Sequence, residues 1–370
     1  MINQKEITVE WLSEVSKKHR NVDKTLTEKT IRALLLLEGL AKQSIDFVFK
    51  GGTALMLHFR STKRLSLDID IILPHKIEKI ETILDNIAEN QGFLRKELQQ
   101  RTTQSKINKE HYKFFFTPLH KTNKNEEYVL LDVLYEKVNY KHLISIPIQS
   151  AFIPMIDNPL SVTVPSLDDI LGDKLTAFAP NTTGVPYYKN GNSMSMEIIK
   201  QLYDIGNLVD VITDIEIVKD TFYKFAETEI TYRNENQTPK EVLNDIYQTA
   251  LSIVTRGTDG NGNFDDLQKG IQRIKNLIFS ESYQIEKAII HASKAAYIAT
   301  LIKHNASSFD KFEHLQQLKN WTICEPFNTK LNKLKKSNPE AFFYWCKIYE
   351  FIILHNTPSN NTNLTHFPYL

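Results

Sequence analysis

The sequence predicts an α+β protein, with a mixed sheet and flanking helices in the N-terminal part and a mainly helical C-terminal part. Three observations carry this. Short apolar runs of strand character recur before residue 165, around 47–50, 68–73, 113–119 and 128–138, with helical periodicity between them. From 214 to 356 the apolar spacing is helical almost throughout, over 214–236, 238–255, 264–279, 281–304, 308–319, 327–336 and 338–356. Between the two regions Pro165-Ser166 opens a helix after a stretch punctuated by Pro147, Pro154 and Pro159. The expected division is therefore a domain over 1–165 and a second over 166–370.

In chain order, residues 7–20 place Val9, Leu12 and Val15 at helical spacing. Residues 25–43 form a strong helix with Thr27 as candidate cap and Ile31, Leu34, Leu35 and Leu37 facing inward. Then comes FVFKGGTALMLHFRSTKRLSLDIDIIL, from Phe47 to Leu73: a strand, a Gly-Gly-Thr turn, a short helix over 54–59 and a second strand. A further amphipathic helix follows Pro74 and stops at Gly92. Residues 94–117 are polar until KFFF, and YVLLDVLYEKV is a strand of nearly continuous apolar character. Beyond Ser166, Asp168 and Asp169 suit the first turn of a helix that carries Lys174. The run 179–196 is rich in Gly, Asn, Ser and Tyr and is long enough to be functional or mobile. Asp204 lies in the next helix, and the tail from Thr357 is polar and loose.

Charge in the wrong place marks the candidate site. Asp68 and Asp70 are one residue apart in a strand, so their carboxylates share a face with Cα atoms roughly 7 Å apart. Their neighbours Ile69, Ile71, Ile72 and Leu73 lead into a core, where unpaired charge is costly. A divalent cation resolves this, and oxygen-only ligands point to Mg²⁺ or Mn²⁺ completed by substrate phosphates. Gly51 and Gly52 permit close backbone approach, and Thr53 is a candidate N-cap of a helix whose start attracts anions. Asp132, mid-strand, is the candidate third carboxylate, or else a sheet-edge partner of a lysine or arginine. Lys63 and Arg64 are placed to meet phosphate; Lys174 either faces solvent or a triphosphate, and Asp204 either holds Lys174 or joins two helices. The basic run from Lys330 to Lys336 is either a solvated helix face, the default, or a place for RNA phosphates, and His58 either lies near substrate or, by default, is a surface or helix-packing residue.

Composition narrows the class. A hydrophobic fraction of 41% and a charged fraction of 24% are those of an ordinary soluble protein. Net charge is +1, so any nucleic-acid binding must use a local basic patch. Cys324 and Cys346 are the only cysteines, which excludes a disulfide framework and a zinc signature. No stretch has the apolar length of a membrane span, and the polar N-terminal stretch lacks a signal-type apolar run, so the expectation is a cytoplasmic protein without a membrane partner.

The motif Gly51-Gly52-Thr53, followed by Arg64, Ser66, Asp68 and Asp70, resembles that of the AbiEii/AbiGii toxin family of nucleotidyltransferases. These are toxin halves of type IV toxin–antitoxin and abortive-infection systems, distant members of the DNA polymerase β-like superfamily. Lys174 in GDKLTAF and Asp204 in KQLYDIGNL resemble a second family block. The resemblance covers roughly 25–210. It implies a polymerase β-like nucleotidyltransferase lobe, Mg²⁺ (or Mn²⁺) on Asp68, Asp70 and Asp132, and an NTP held by Gly51, Gly52, Thr53, Ser66 and Lys174, with Asp204 orienting Lys174. It further implies an RNA acceptor, with tRNA foremost, and a cognate antitoxin. Two other readings stand beside it: a small-molecule nucleotidyltransferase of the aminoglycoside-modifying kind, and a catalytically idle scaffold that binds nucleotide or antitoxin.

Overall fold

The computed structural model describes residues 1–43, 45–60, 63–99, 108–120, 124–233, 236–324 and 328–356; the tail from Thr357 lies outside the described residues. The chain divides into two units, Met1–Ile170 with Arg273–Tyr283, and Leu171–Gln272 with Gln284–Leu370.

The first unit is built on helices α1 (Val9–Lys18) and α2 (Lys24–Ala41), then strand β1 (Val48–Lys50), helix α3 (Gly51–His58), strand β2 (Asp68–Leu73) and helix α4 (Ile80–Asn90). Strands β3 (Arg95–Leu98), β4 (Lys109–Phe116) and β5 (Glu127–Tyr135) follow, then the hairpin β6 (Leu143–Pro147) and β7 (Ser161–Pro165). Five strands form a mixed sheet in the order β1-β2-β5-β4-β3, so the α+β expectation is met. Only β2 and β5 run parallel in it.

The sheet has one dry face. Along β5, Val129, Leu131 and Val133 are buried while Tyr128, Leu130 and Asp132 are half-exposed, the period of two of a strand with one covered side. Ile69 and Ile71 of β2 and Tyr112 and Phe114 of β4 extend the dry face. Helix α2 packs on β2 and β5, and its Ile31 and Leu34–Leu37 are fully buried. Its cap is Asp23, which accepts from the Leu26 amide at 2.9 Å, and Thr27 lies inside the helix instead.

Helix α5 (Leu167–Ala177) starts in the first unit and continues into the second. Ser166 caps it as expected: its hydroxyl accepts from the Asp169 amide at 3.1 Å and donates to the Asp169 carboxylate at 2.8 Å. Buried Asp169 also accepts from the Lys141 and His142 amides, which fixes where the helix begins.

The second unit is mainly helical. A short hairpin, β8 (Tyr188–Lys189) and β9 (Asn192–Ser193), precedes α6 (Ser195–Val209), α7 (Ile215–Arg233), α8 (Pro239–Val254), α9 (Phe264–Ile274) and α10 (Ile285–Lys303). Helix α10 packs on α6, α8 and α13 (Pro339–Asn356). The short α11 (Asn328–Leu331) and α12 (Leu334–Ser337) replace the single helix expected over 327–336. Within 308–319 only Leu315–Leu318 is helical, as one 3-10 turn. No described helix is long and apolar enough to cross a membrane.

Candidate active site

The site starts at Gly51. Its φ is +81°, a left-handed conformation that favours glycine, and a Cβ there would stand 2.1 Å from Asp70 Oδ2. The turn therefore lies directly against the carboxylate of β2. A Cβ at Gly52 would meet the Arg64 guanidinium at 2.7 Å and Ser66 Oγ at 2.7 Å. Backbone, cation, hydroxyl and carboxylate converge here without intervening side chains. Arg64 is buried, and one of its nitrogens donates to the Leu65 carbonyl at 3.1 Å.

Thr53 does not cap α3. The helix begins at Gly51 with Lys50 as its N-cap residue, because the positive φ at Gly51 starts the first turn three residues early. The Thr53 side chain is buried, and its hydroxyl donates to the Asp68 carbonyl at 2.7 Å. Its structural task is to fasten α3 to the start of β2. At the far end of α3, His58 Nε2–H donates to the Pro165 carbonyl at 2.9 Å, and burial holds the imidazole below its ordinary pKa.

Strand pairing brings in Asp132. Asp68 lies opposite Leu130 and Asp70 opposite Asp132 across the parallel β2–β5 pair. Registered neighbours in a sheet project to the same face, so Asp70 and Asp132 share the half-exposed side. The alternative of a lysine or arginine partner for Asp132 gives way to a histidine: His111 Nδ1 donates to Asp132 Oδ1 at 2.6 Å from the opposite position on β4. An ionised carboxylate only accepts, so the proton sits on Nδ1. The sequence reading passed over His111, which stands in a polar run ahead of KFFF.

Lys174 and Asp204 are a feature of the second unit. Lys174 Nζ lies 2.9 Å from Asp204 Oδ2 and donates to Gln201 Oε1 at 3.0 Å. Asp204 is buried on α6, so the lysine is held in a fixed geometry. The expected loop 179–196 is pinned in part. Arg233 donates to the Thr182, Thr183 and Gly184 carbonyls, and Asp245 accepts from Asn181 and Thr182.

The profile of the family described as "Nucleotidyl transferase AbiEii toxin, Type IV TA system" matches residues 35–282. The chain belongs to the AbiEii nucleotidyltransferase toxin family. The AbiEii match spans β1, β2 and β5 and continues through Lys174 and Asp204. This AbiEii member is accordingly an enzyme, a nucleotidyltransferase, and its family implies an NTP substrate and an antitoxin partner. Two solved structures are similar to it. One was solved as a candidate nucleotidyltransferase from H. pylori, with 16% identity, a TM-score of 0.40, and coverage of 75% of this chain and 94% of that one. The other is JHP933 from Helicobacter pylori, with 14% identity, a TM-score of 0.39, and coverage of 77% and 94%. No curated protein sequence matches the chain.

Among the described residues, no group of three or more His, Cys, Asp or Glu side chains converges as a ready metal cage. Mg²⁺ does not require one: it is held by one or two carboxylates and keeps water and substrate phosphates for its other positions. The donors offered are carboxylate oxygens, and the Gly51 backbone lies directly against the Asp70 carboxylate with no side chain of its own. Carboxylate chemistry and this glycine-lined approach fit a hard divalent ion.

Proposed function

We propose that this protein is the toxin of a type IV toxin–antitoxin or abortive-infection system, and that it transfers NMP from an NTP to a hydroxyl of an RNA acceptor, with tRNA foremost. The observation that carries the reading is the register of Asp70 with Asp132 across β2 and β5, with the Gly51-Gly52 turn against Asp70.

In this reading Asp68, Asp70 and Asp132 hold Mg²⁺ or Mn²⁺, which when bound neutralises charge at the reacting phosphate and the leaving pyrophosphate. The amides of Gly51, Gly52 and Thr53 and the hydroxyl of Ser66 bind the β- and γ-phosphates at the start of α3. Arg64 supplies positive charge beside that turn. Lys174, oriented by Asp204, serves as a phosphate-neutralising cation. Asp132 accepts the proton of the acceptor hydroxyl as its oxygen bonds to the α-phosphorus and the bond to pyrophosphate breaks. The product is an acceptor extended by one nucleotide, and a blocked RNA end would stop growth by halting translation.

The test is incubation with each labelled NTP, Mg²⁺ and total RNA, followed by gel analysis. Asp68→Ala and Asp70→Ala are each expected to lower transfer about a hundredfold or more. Variants as active, or as toxic, as the parent would sink the reading. Labelling of small hydroxyl compounds in place of RNA would redirect it to a small-molecule acceptor.

A further inference from the structure

We propose that His111 is a positioning residue for Asp132, fixing the carboxylate for metal and acceptor through its Nδ1–H. The inference rests on the reading of Asp132 as the third carboxylate.

The geometry is specific. Sheet order places β5 between β2 and β4, so Asp132 has Asp70 on one flank and His111 on the other. The carboxylate is gripped by one oxygen, from the side away from Asp70. Among the described residues, His111 is the one side chain recorded as a hydrogen-bond partner of Asp132. A free aspartate side chain turns about two bonds, so a donor on one oxygen removes the rotational freedom a ligand must otherwise lose.

The other ring nitrogen says what the histidine is for. Nε2 is buried and has no hydrogen-bond partner among the described residues. A buried polar atom without a partner costs stability. On the same face the adjacent β4 positions are Lys109 and Lys113, with Leu130 diagonally across, and the ring donates only to Asp132 among the described residues. The ring is also the less exposed member of the pair, 14% against 37% for Asp132. With Nε2 closed off, His111 cannot take the acceptor's proton itself. What remains is the bond to Asp132.

Four variants test this: His111→Phe, His111→Asn, His111→Gln and Asp132→Asn, with the double variant His111→Phe/Asp132→Asn. Asparagine presents its amide at the Nδ1 position and glutamine at the Nε2 position. Three readouts are used: transfer kinetics with labelled NTP and total RNA, Mn²⁺ affinity by electron paramagnetic resonance titration with a non-hydrolysable NTP analogue, and thermal midpoint. His111→Phe is expected to lose about 10–100-fold in kcat and in Mn²⁺ affinity, with an unchanged or higher midpoint. His111→Asn should recover most of both losses and His111→Gln should not; that pair decides the question even if the phenylalanine variant misfolds. The double variant should be no worse than Asp132→Asn alone.

Wild-type behaviour of His111→Phe beside an inactive Asp132→Asn would overturn the inference and leave the site reading intact. Additive losses in the double variant would also overturn it. Full activity of Asp132→Asn would remove the site reading and the inference together.

Discussion

Gly51 and Asp70 compete for one space. A methyl group at position 51 lands on the carboxylate, and the residue must also hold φ +81°. Gly51→Ala is expected to cost about 1–2 kcal/mol from the backbone alone, readable by urea denaturation. Transfer activity should fall further than that loss explains, because Asp70 must move. His58 carries a different signature. Burial, opposed by the bond to Pro165, holds its pKa below 6.5 in the folded protein, so the neutral ring belongs to the native state. Its contribution to stability is fully present above the unfolded pKa of 6.5 and is lost as pH falls through the folded value. Urea midpoints between about pH 7.5 and about pH 5.5 should therefore drop more for the parent than for His58→Gln, whose amide still reaches Pro165 but does not titrate.

At the scale of elements, the sheet was legible where apolar pattern was strong. β2 and β5 stood out because carboxylates interrupt Ile, Leu and Val runs, and that same conflict led to Asp68, Asp70 and Asp132. β3 was missed: Arg95–Leu98 is a short polar edge strand, mostly exposed, with no burial to print a period of two. His111 was missed for a related reason, since its role comes from a cross-strand partner far away in sequence. Thr53 was read as a cap because threonine favours caps, but the glycine pair starts the helix earlier and turns the hydroxyl toward Asp68. The 179–196 stretch looked loose by composition, yet its first part is tied by charged groups from α7 and α8. Asp245 accepts three bonds from Asn181 and Thr182 and a fourth from Thr249. Asp245→Ala is expected to cost about 2–3 kcal/mol and to speed proteolysis within 180–184, measured by limited digestion.

For the whole molecule, the apolar cores and the charged site are separate systems. Fully buried Phe49, Ile69, Leu131, Val133 and Phe114 hold the first unit together, while the three carboxylates stand on the half-exposed side of the same sheet. Removing divalent cations with EDTA is therefore expected to abolish transfer yet leave the thermal midpoint within about 2 °C, followed by circular dichroism. Net charge of +1 gives no global attraction to nucleic acid, so on the proposed reading recognition of an RNA acceptor would fall to local groups.

The parallel pairing of β2 with β5 also bears on how such a chain is made. The two strands touch in the sheet, but α4, β3 and β4 lie between them along the chain. A polypeptide still on the ribosome can have β1, α3 and β2 in hand and yet lack Asp132 altogether. Any product cut short before β5, whether by premature termination or by a protease, carries the glycine turn and two aspartates but only part of the carboxylate set. On the proposed reading, a fragment that ends before β5 lacks Asp132 and is expected not to transfer, because the site is complete only when distant stretches meet.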